Sequence, residues 1–156
     1  MCSSSSATRH QPFSFPGSQA LVVLVHLAFV LTGVVSTLLG PALPALSARW
    51  QLSDTRAGYF FTTQFAGSIA GVILTGLLLP RRGFRFSLMF GYLLMAGGLS
   101  SLGAAEWRFA LLGTFTFGLG LGTVIPSTNL LVSSLNPHGR AAALSALNFC
   151  WGAGAD

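Results

Sequence analysis

From Leu21 to Leu46 the chain carries no Arg, Lys, Asp or Glu. An α-helix needs about 20 apolar residues to cross the hydrocarbon core of a bilayer, so this one run already exceeds a membrane span. Three more runs follow, Ala57 to Leu79, Phe86 to Ala105 and Phe109 to Leu135, and a fifth begins at Ala141. The fifth continues for 16 residues to Asp156, which is roughly 24 Å of helix and short for a crossing. The sequence therefore predicts an all-α, polytopic transmembrane bundle of four complete spans, at about 21–46, 57–79, 86–105 and 109–135, with a truncated fifth at 141–156. Residues 1–19 read as a disordered polar tail and residues 20–156 as a partial transmembrane domain.

Charge settles what the chain is not. Eight arginines, no lysine and three acids make up 7% of 156 residues and leave a net charge of +5, against about a quarter charged in a soluble domain. Eleven charges cannot coat a soluble globule. Thirteen Phe argue against disorder. The arginines occur in ones, twos and threes between apolar runs and form no continuous basic face, so nucleic acid is not an expected partner. The polar leader is too long and the first apolar run about twice too long for a cleaved signal peptide. Cys2 and Cys150 lie far apart and define neither a disulfide framework nor a metal spacing.

Short connections make neighbouring spans antiparallel, and the arginines set the expected orientation. One side collects Arg9, Arg81, Arg82, Arg85 and Arg140; the other has Arg49, Arg56 and Arg108, diluted by Asp54 and Glu106. The positive-inside bias predicts a cytoplasmic N-terminus, with odd spans running outward.

Inside lipid, helices associate through small residues that let backbones approach. Span two presents Thr63, Gly67, Gly71 and Thr75 at four-residue spacing, and span four presents Thr114, Gly118, Gly122 and Pro126 at the same spacing. Both ladders predict close packing. Gly40-Pro41 with Pro44, and Gly122 with Pro126, are expected to interrupt spans one and four. Interrupted helices in corresponding positions of two repeats point to a transporter site.

Polar side chains at membrane depth face a cavity or a partner helix. His26, Gln64, Asn129 and Asn148 are of this kind, and Trp151 between Cys150 and Gly152 offers an aromatic face. These five are the candidate solute-binding residues; the alternative for each is an interhelical packing role. His26 is the one titratable side chain well inside a span, able to bind or relay a proton. Paired carboxylates, metal-ligand spacings, a phosphate-binding loop and a nucleophile–base arrangement are all missing from the sequence. No enzyme activity, cofactor or metal is expected.

Between spans two and three the sequence reads Gly76-Leu-Leu78-Leu-Pro80-Arg81-Arg-Gly83-Phe-Arg85-Phe-Ser-Leu88. This resembles the cytoplasmic loop signature of the major facilitator superfamily, G-x-L-a-D-r-x-G-r-k-x-x-l, with Pro80 in place of the acid and Phe84 in place of a basic residue. The resemblance assigns a gating-loop role to Gly76, Arg81, Gly83 and Arg85. The run from Arg140 through Asn148 and Trp151 to Gly154 resembles the fifth span of the fucose-permease-like sugar branch.

Membership implies twelve spans in two six-helix halves, roughly 400 residues at the length each span and loop requires. The chain thus looks like an N-terminal fragment lacking the second half. The implied function is secondary active or facilitated transport of a small solute by alternating access, with a sugar as the leading solute and a coupling proton as co-substrate. The implied setting is a bacterial cytoplasmic membrane. Multidrug-type efflux is the alternative within transport, and a non-transporting membrane remnant or scaffold is the alternative outside it.

Overall fold

The computed structural model describes residues 16–103 and 106–155. Among them every regular element is helical: α1 (Pro16–Thr37), α2 (Leu39–Trp50), α3 (Asp54–Ser100), a 3-10 turn (Ser101–Gly103), α4 (Trp107–Leu135) and α5 (Arg140–Ala155). Three stretches, Ala20–Trp50, Asp54–Gly103 and Trp107–Leu135, are long and apolar enough to cross a membrane. The protein is an integral membrane helix bundle.

α1 begins at Pro16, inside the stretch read as tail, because proline suits the first helical turn, where its missing N–H costs nothing. Residues 1–15 of that tail lie outside the described residues. The first rod is interrupted only in its hydrogen bonding, at Leu38, which keeps helical φ −57° and ψ −29°. Pro41 has no N–H for the Thr37 carbonyl and its ring crowds that turn. The helix restarts at once as α2, with the Ala42 N–H donating to the Leu38 carbonyl at 3.0 Å. Gln51, in the left-handed region at φ 48°, ends α2. Trp50 stacks on Phe60 of α3 at 6.0 Å between ring centroids, which ties the end of the rod to the next span.

α3 is 47 residues long, about 70 Å of helix and more than twice the hydrocarbon thickness. It breaks at Gly83, with φ 76° and ψ 175°, a backbone region open essentially only to glycine. The runs expected at 57–79 and 86–105 thus lie on two helical segments, residues 104 and 105 falling outside the described residues, and the non-helical part of the expected loop shrinks to a single residue. Gly76, Arg81 and Arg85 remain in helical turns on either side.

α4 is the centre of the bundle and the most deeply buried span. The first half of α3 runs parallel to it. A Cβ on Gly118 would lie on the Gln64 carbonyl, and one on Gly122 on the Ser68 carbonyl. Reciprocally, Gly67 meets the Phe115 carbonyl and Gly71 the Leu119 carbonyl. The two small-residue ladders thus interlock. The second half of α3 packs antiparallel on another side of α4, where Gly91 and Gly98 oppose Gly120 and Gly113. α5 rests mainly on α1, with Gly33 against the Trp151 carbonyl and Gly154 against the Val30 carbonyl, and only lightly on α4. Val25 and Phe29 of α1, Val132 of α4 and Leu147 of α5 form the cluster that joins these three helices.

α4 is not interrupted. It runs unbroken through Pro126, so the expected match between Gly40-Pro44 and Gly122-Pro126 fails: only the first rod is interrupted. The physical reason lies in α3. Pro126 offers no N–H to the carbonyl of Gly122, four residues back. The buried Thr75 hydroxyl stands 3.3 Å from that carbonyl, 3.4 Å from that of Thr123 and 3.0 Å from that of Gly71 in its own helix. The hydroxyl has one hydrogen and lies nearest the Gly71 carbonyl, so the neighbouring helix offers the group that proline frees a share of that hydrogen. Replacing Thr75 with the isosteric valine (Thr75→Val) is expected to lower stability by about 1–2 kcal/mol. Unfolding in mixed micelles by rising dodecyl sulfate measures it, and an unmoved midpoint would show that this carbonyl needs no partner.

Candidate functional site

Three of the five candidate residues, His26, Asn129 and Trp151, lie on α1, α4 and α5, the helices that the Val25–Phe29–Val132–Leu147 cluster joins. Asn129 lies on the face of α4 that carries Ile125 and Val132, four residues before and three after it. Its amide nitrogen donates to the Ile125 carbonyl at 3.1 Å, and its Oδ1 is buried without a hydrogen-bond partner. Trp151 of α5 packs against the Val25–Phe29–Val132–Leu147 cluster, as does Ile125, and its indole N–H is likewise buried and unpartnered. His26 of α1 shares a helical stripe with Val30 and Gly33, which touch α5. Its Nδ1 lies 2.7 Å from the Val22 carbonyl. A carbonyl only accepts, so Nδ1 carries the hydrogen of this bond.

The other two candidates lie elsewhere. Gln64 sits on the seam between α3 and α4, where its backbone carbonyl faces Gly118. That is eleven residues of α4 from Asn129, about 16 Å along the helix. Asn148 is exposed on α5, its amide donating to the Leu144 carbonyl at 2.9 Å.

Around the Gly83 break, Arg81, Arg82 and Arg85 are all exposed, with the Arg82 guanidinium 5.3 Å from the Phe86 ring centroid. Arg85 also borders a cavity of about 500 Å³ between α1 and the second half of α3, with Leu24, Leu88, Tyr92 and Thr128 in its wall. A second cavity of about 430 Å³ lies farther along the same groove, lined by Leu31, Thr32, Tyr92 and Met95 among others. Neither reaches any of the five candidates.

The groove brings forward polar groups that sequence reasoning passed over. The Thr32 hydroxyl donates to the Ala28 carbonyl at 2.8 Å, so the Tyr92 hydroxyl at 3.4 Å donates to Thr32. Ser87 and Ser127, both fully buried, hydrogen-bond at 2.8 Å across the second half of α3 and α4. Serine and threonine hydroxyls so often turn back on their own helix that sequence alone gives no sign of which ones cross to a neighbour. Tyr92, one of two tyrosines in the chain, was the one legible signal.

The described residues contain no cluster of three His, Cys, Asp or Glu that could hold a metal ion. Asn129 Oδ1 is an unpartnered acceptor and the Trp151 indole N–H an unpartnered donor, the latter against the apolar cluster.

No solved structure matches the chain. Among curated proteins it is 30% identical over 132 residues to the 4-hydroxybenzoate transporter PcaK of Pseudomonas putida, covering 83% of this chain and 29% of that protein. It is 32% identical over 125 residues to a gentisate transporter of Corynebacterium glutamicum, covering 78% of this chain and 28% of the relative. The 4-hydroxybenzoate transporter PcaK of Pseudomonas aeruginosa is 30% identical over 145 residues, 90% of this chain and 31% of its own. The chain thus spans a little under a third of the length of the curated relatives it matches. The family model of the Major Facilitator Superfamily matches residues 25–155. With interlocked membrane spans, a loop signature at Gly83 and that match over most of its length, the chain belongs to the major facilitator superfamily.

Proposed function

We propose that the complete protein carries a small aromatic acid across the membrane by alternating access, and that α1, α4 and α5 form part of the wall of its path. One observation carries this reading: three relatives, matched over 78–90% of this chain, are named as transporters of 4-hydroxybenzoate or gentisate. The family membership supports a small solute as cargo, and a sugar, expected from the Asn148–Trp151 segment, has no support among these relatives. Multidrug efflux and a non-transporting remnant are not favoured by them either. In alternating access, two halves rock about a site near the bilayer midplane. Here His26, Asn129 and Trp151 belong to the first half's share of that site, and the arginines beside Gly83 face the cytoplasm together with the N-terminus.

The test is uptake by cells expressing the complete transporter and lacking aromatic-acid uptake of their own. Labelled 4-hydroxybenzoate is expected to accumulate several-fold above the empty-vector level, and labelled glucose to stay at that level. Accumulation of the sugar without the acid would reverse the reading.

A further inference from the structure

We propose that Asn129 Oδ1 and the Trp151 indole N–H together hold a hydroxyl group of the transported solute, and that a carboxylate is bound elsewhere. The inference rests on the aromatic-acid reading above and sharpens it.

The two atoms are the buried side-chain polar atoms left without a hydrogen-bond partner among the described residues. In a membrane interior such groups are costly unless something completes them. They are also chemically opposite. The Asn129 amide nitrogen is committed to the Ile125 carbonyl, which only accepts, so the side-chain orientation is set and the orphan atom is the acceptor oxygen. The indole nitrogen can only donate.

Helix geometry sets them at about the same level of the bundle. Val132 of α4 and Leu147 of α5 meet in one cluster. From that junction Asn129 is three residues along α4 and Trp151 four residues along α5. The two helices are antiparallel, so both steps run away from the Gly83 end, each about 5 Å. Asn129, one turn after Ile125, and Trp151, packed with Ile125 on one cluster, thus lie at about one level, and they do not bond to each other. α5 rests mainly on α1 and only lightly on α4, and both atoms are buried, so a solute reaches them only where the α4–α5 seam opens.

A group that completes both atoms must accept from nitrogen and donate to oxygen. A carboxylate accepts only, and it would set its charge against Oδ1. A hydroxyl does both, and so does a water. A site built to bond a substrate hydroxyl discriminates against the analogue lacking it, because its own polar groups are then left unpaired.

The experiment measures labelled 4-hydroxybenzoate uptake by the complete transporter, with unlabelled 4-hydroxybenzoate and unlabelled benzoate as competitors, in the parent and in Asn129→Leu and Trp151→Phe variants matched for membrane abundance. In the parent, benzoate is expected to compete at least tenfold more weakly than 4-hydroxybenzoate. Each variant should weaken 4-hydroxybenzoate about tenfold, the loss of one buried hydrogen bond, and leave benzoate within twofold. Benzoate competition in the same cells reports that the variant still folds and binds. Equal competition by the two acids in the parent overturns the proposal. So does an equal loss of both in the variants, the result expected if a structural water bridges the pair. A parent that takes up no aromatic acid overturns the proposed function itself, and this inference with it.

Discussion

Replacing Gly122 with alanine is expected to destabilise the bundle by about 3 kcal/mol, the upper part of the range for overpacking a tight contact. The added Cβ would fall on the backbone carbonyl of Ser68, and its next neighbours are also backbone atoms of Ser68. Backbone cannot rotate away as a side chain can, so α3 and α4 must separate along the ladder that also holds Gly67, Gly71 and Gly118. The Thr75 hydroxyl would then leave the Gly122 carbonyl as well, which adds an unmet acceptor to the steric cost. Gly97→Ala is the matched control. A Cβ there meets nothing within 4 Å, and alanine is the better helix former by about 1 kcal/mol. The two alanines should therefore shift the unfolding midpoint in micelles in opposite directions. Equal shifts would mean that backbone contact at Gly122 does not hold α3 to α4.

The second large effect is expected at Gly83. A valine there would need φ 76° and ψ 175°, a conformation that costs a residue with a Cβ about 1–3 kcal/mol, with β-branching towards the upper end. The strain acts on a hinge. If the break moves or closes, the second half of α3 leaves its seat on α4, where Ser87 meets Ser127 at 2.8 Å. A Ser87→Cys, Ser127→Cys pair, in a background with Cys2 and Cys150 replaced by alanine, should cross-link under mild oxidation. Adding Gly83→Val should reduce that yield several-fold. An undiminished yield would show that the turn tolerates a side chain and that packing on α4 alone sets the return of the chain.

Much of the fold was legible because lipid imposes one-dimensional rules. The absence of charge from Leu21 to Leu46 and the clustering of arginines at Gly83 mark where helices lie and where the chain turns, whatever packs against what. The ladders of span two and span four likewise announced close contacts. Their partners were not legible: four-residue spacing says which face is smooth and nothing about which other smooth face it meets. Pro126 shows the same limit. Its rule predicts a broken helix, and it carries no sign of the Thr75 hydroxyl that another helix sets 3.3 Å from the freed Gly122 carbonyl.

The candidate site divides along the same line. His26, Gln64, Asn129, Asn148 and Trp151 were singled out by one shared property, polarity or an aromatic face in an apolar run. The tertiary structure separated them: Gln64 went to the α3–α4 seam, Asn148 to the exposed side of α5, and Asn129 and Trp151 each kept a buried polar atom without a partner. By itself the sequence determined a membrane-spanning helical chain, the number of its apolar runs and the superfamily signature around Gly83, because transfer free energy and backbone conformation are properties of local segments. Only the tertiary structure decided that α4 sits at the centre, that the Thr75 hydroxyl lies beside the carbonyl Pro126 frees and that, among the described residues, two opposite buried polar atoms are left without partners. Those outcomes depend on which surfaces of distant segments meet, and spacing along one segment does not carry that.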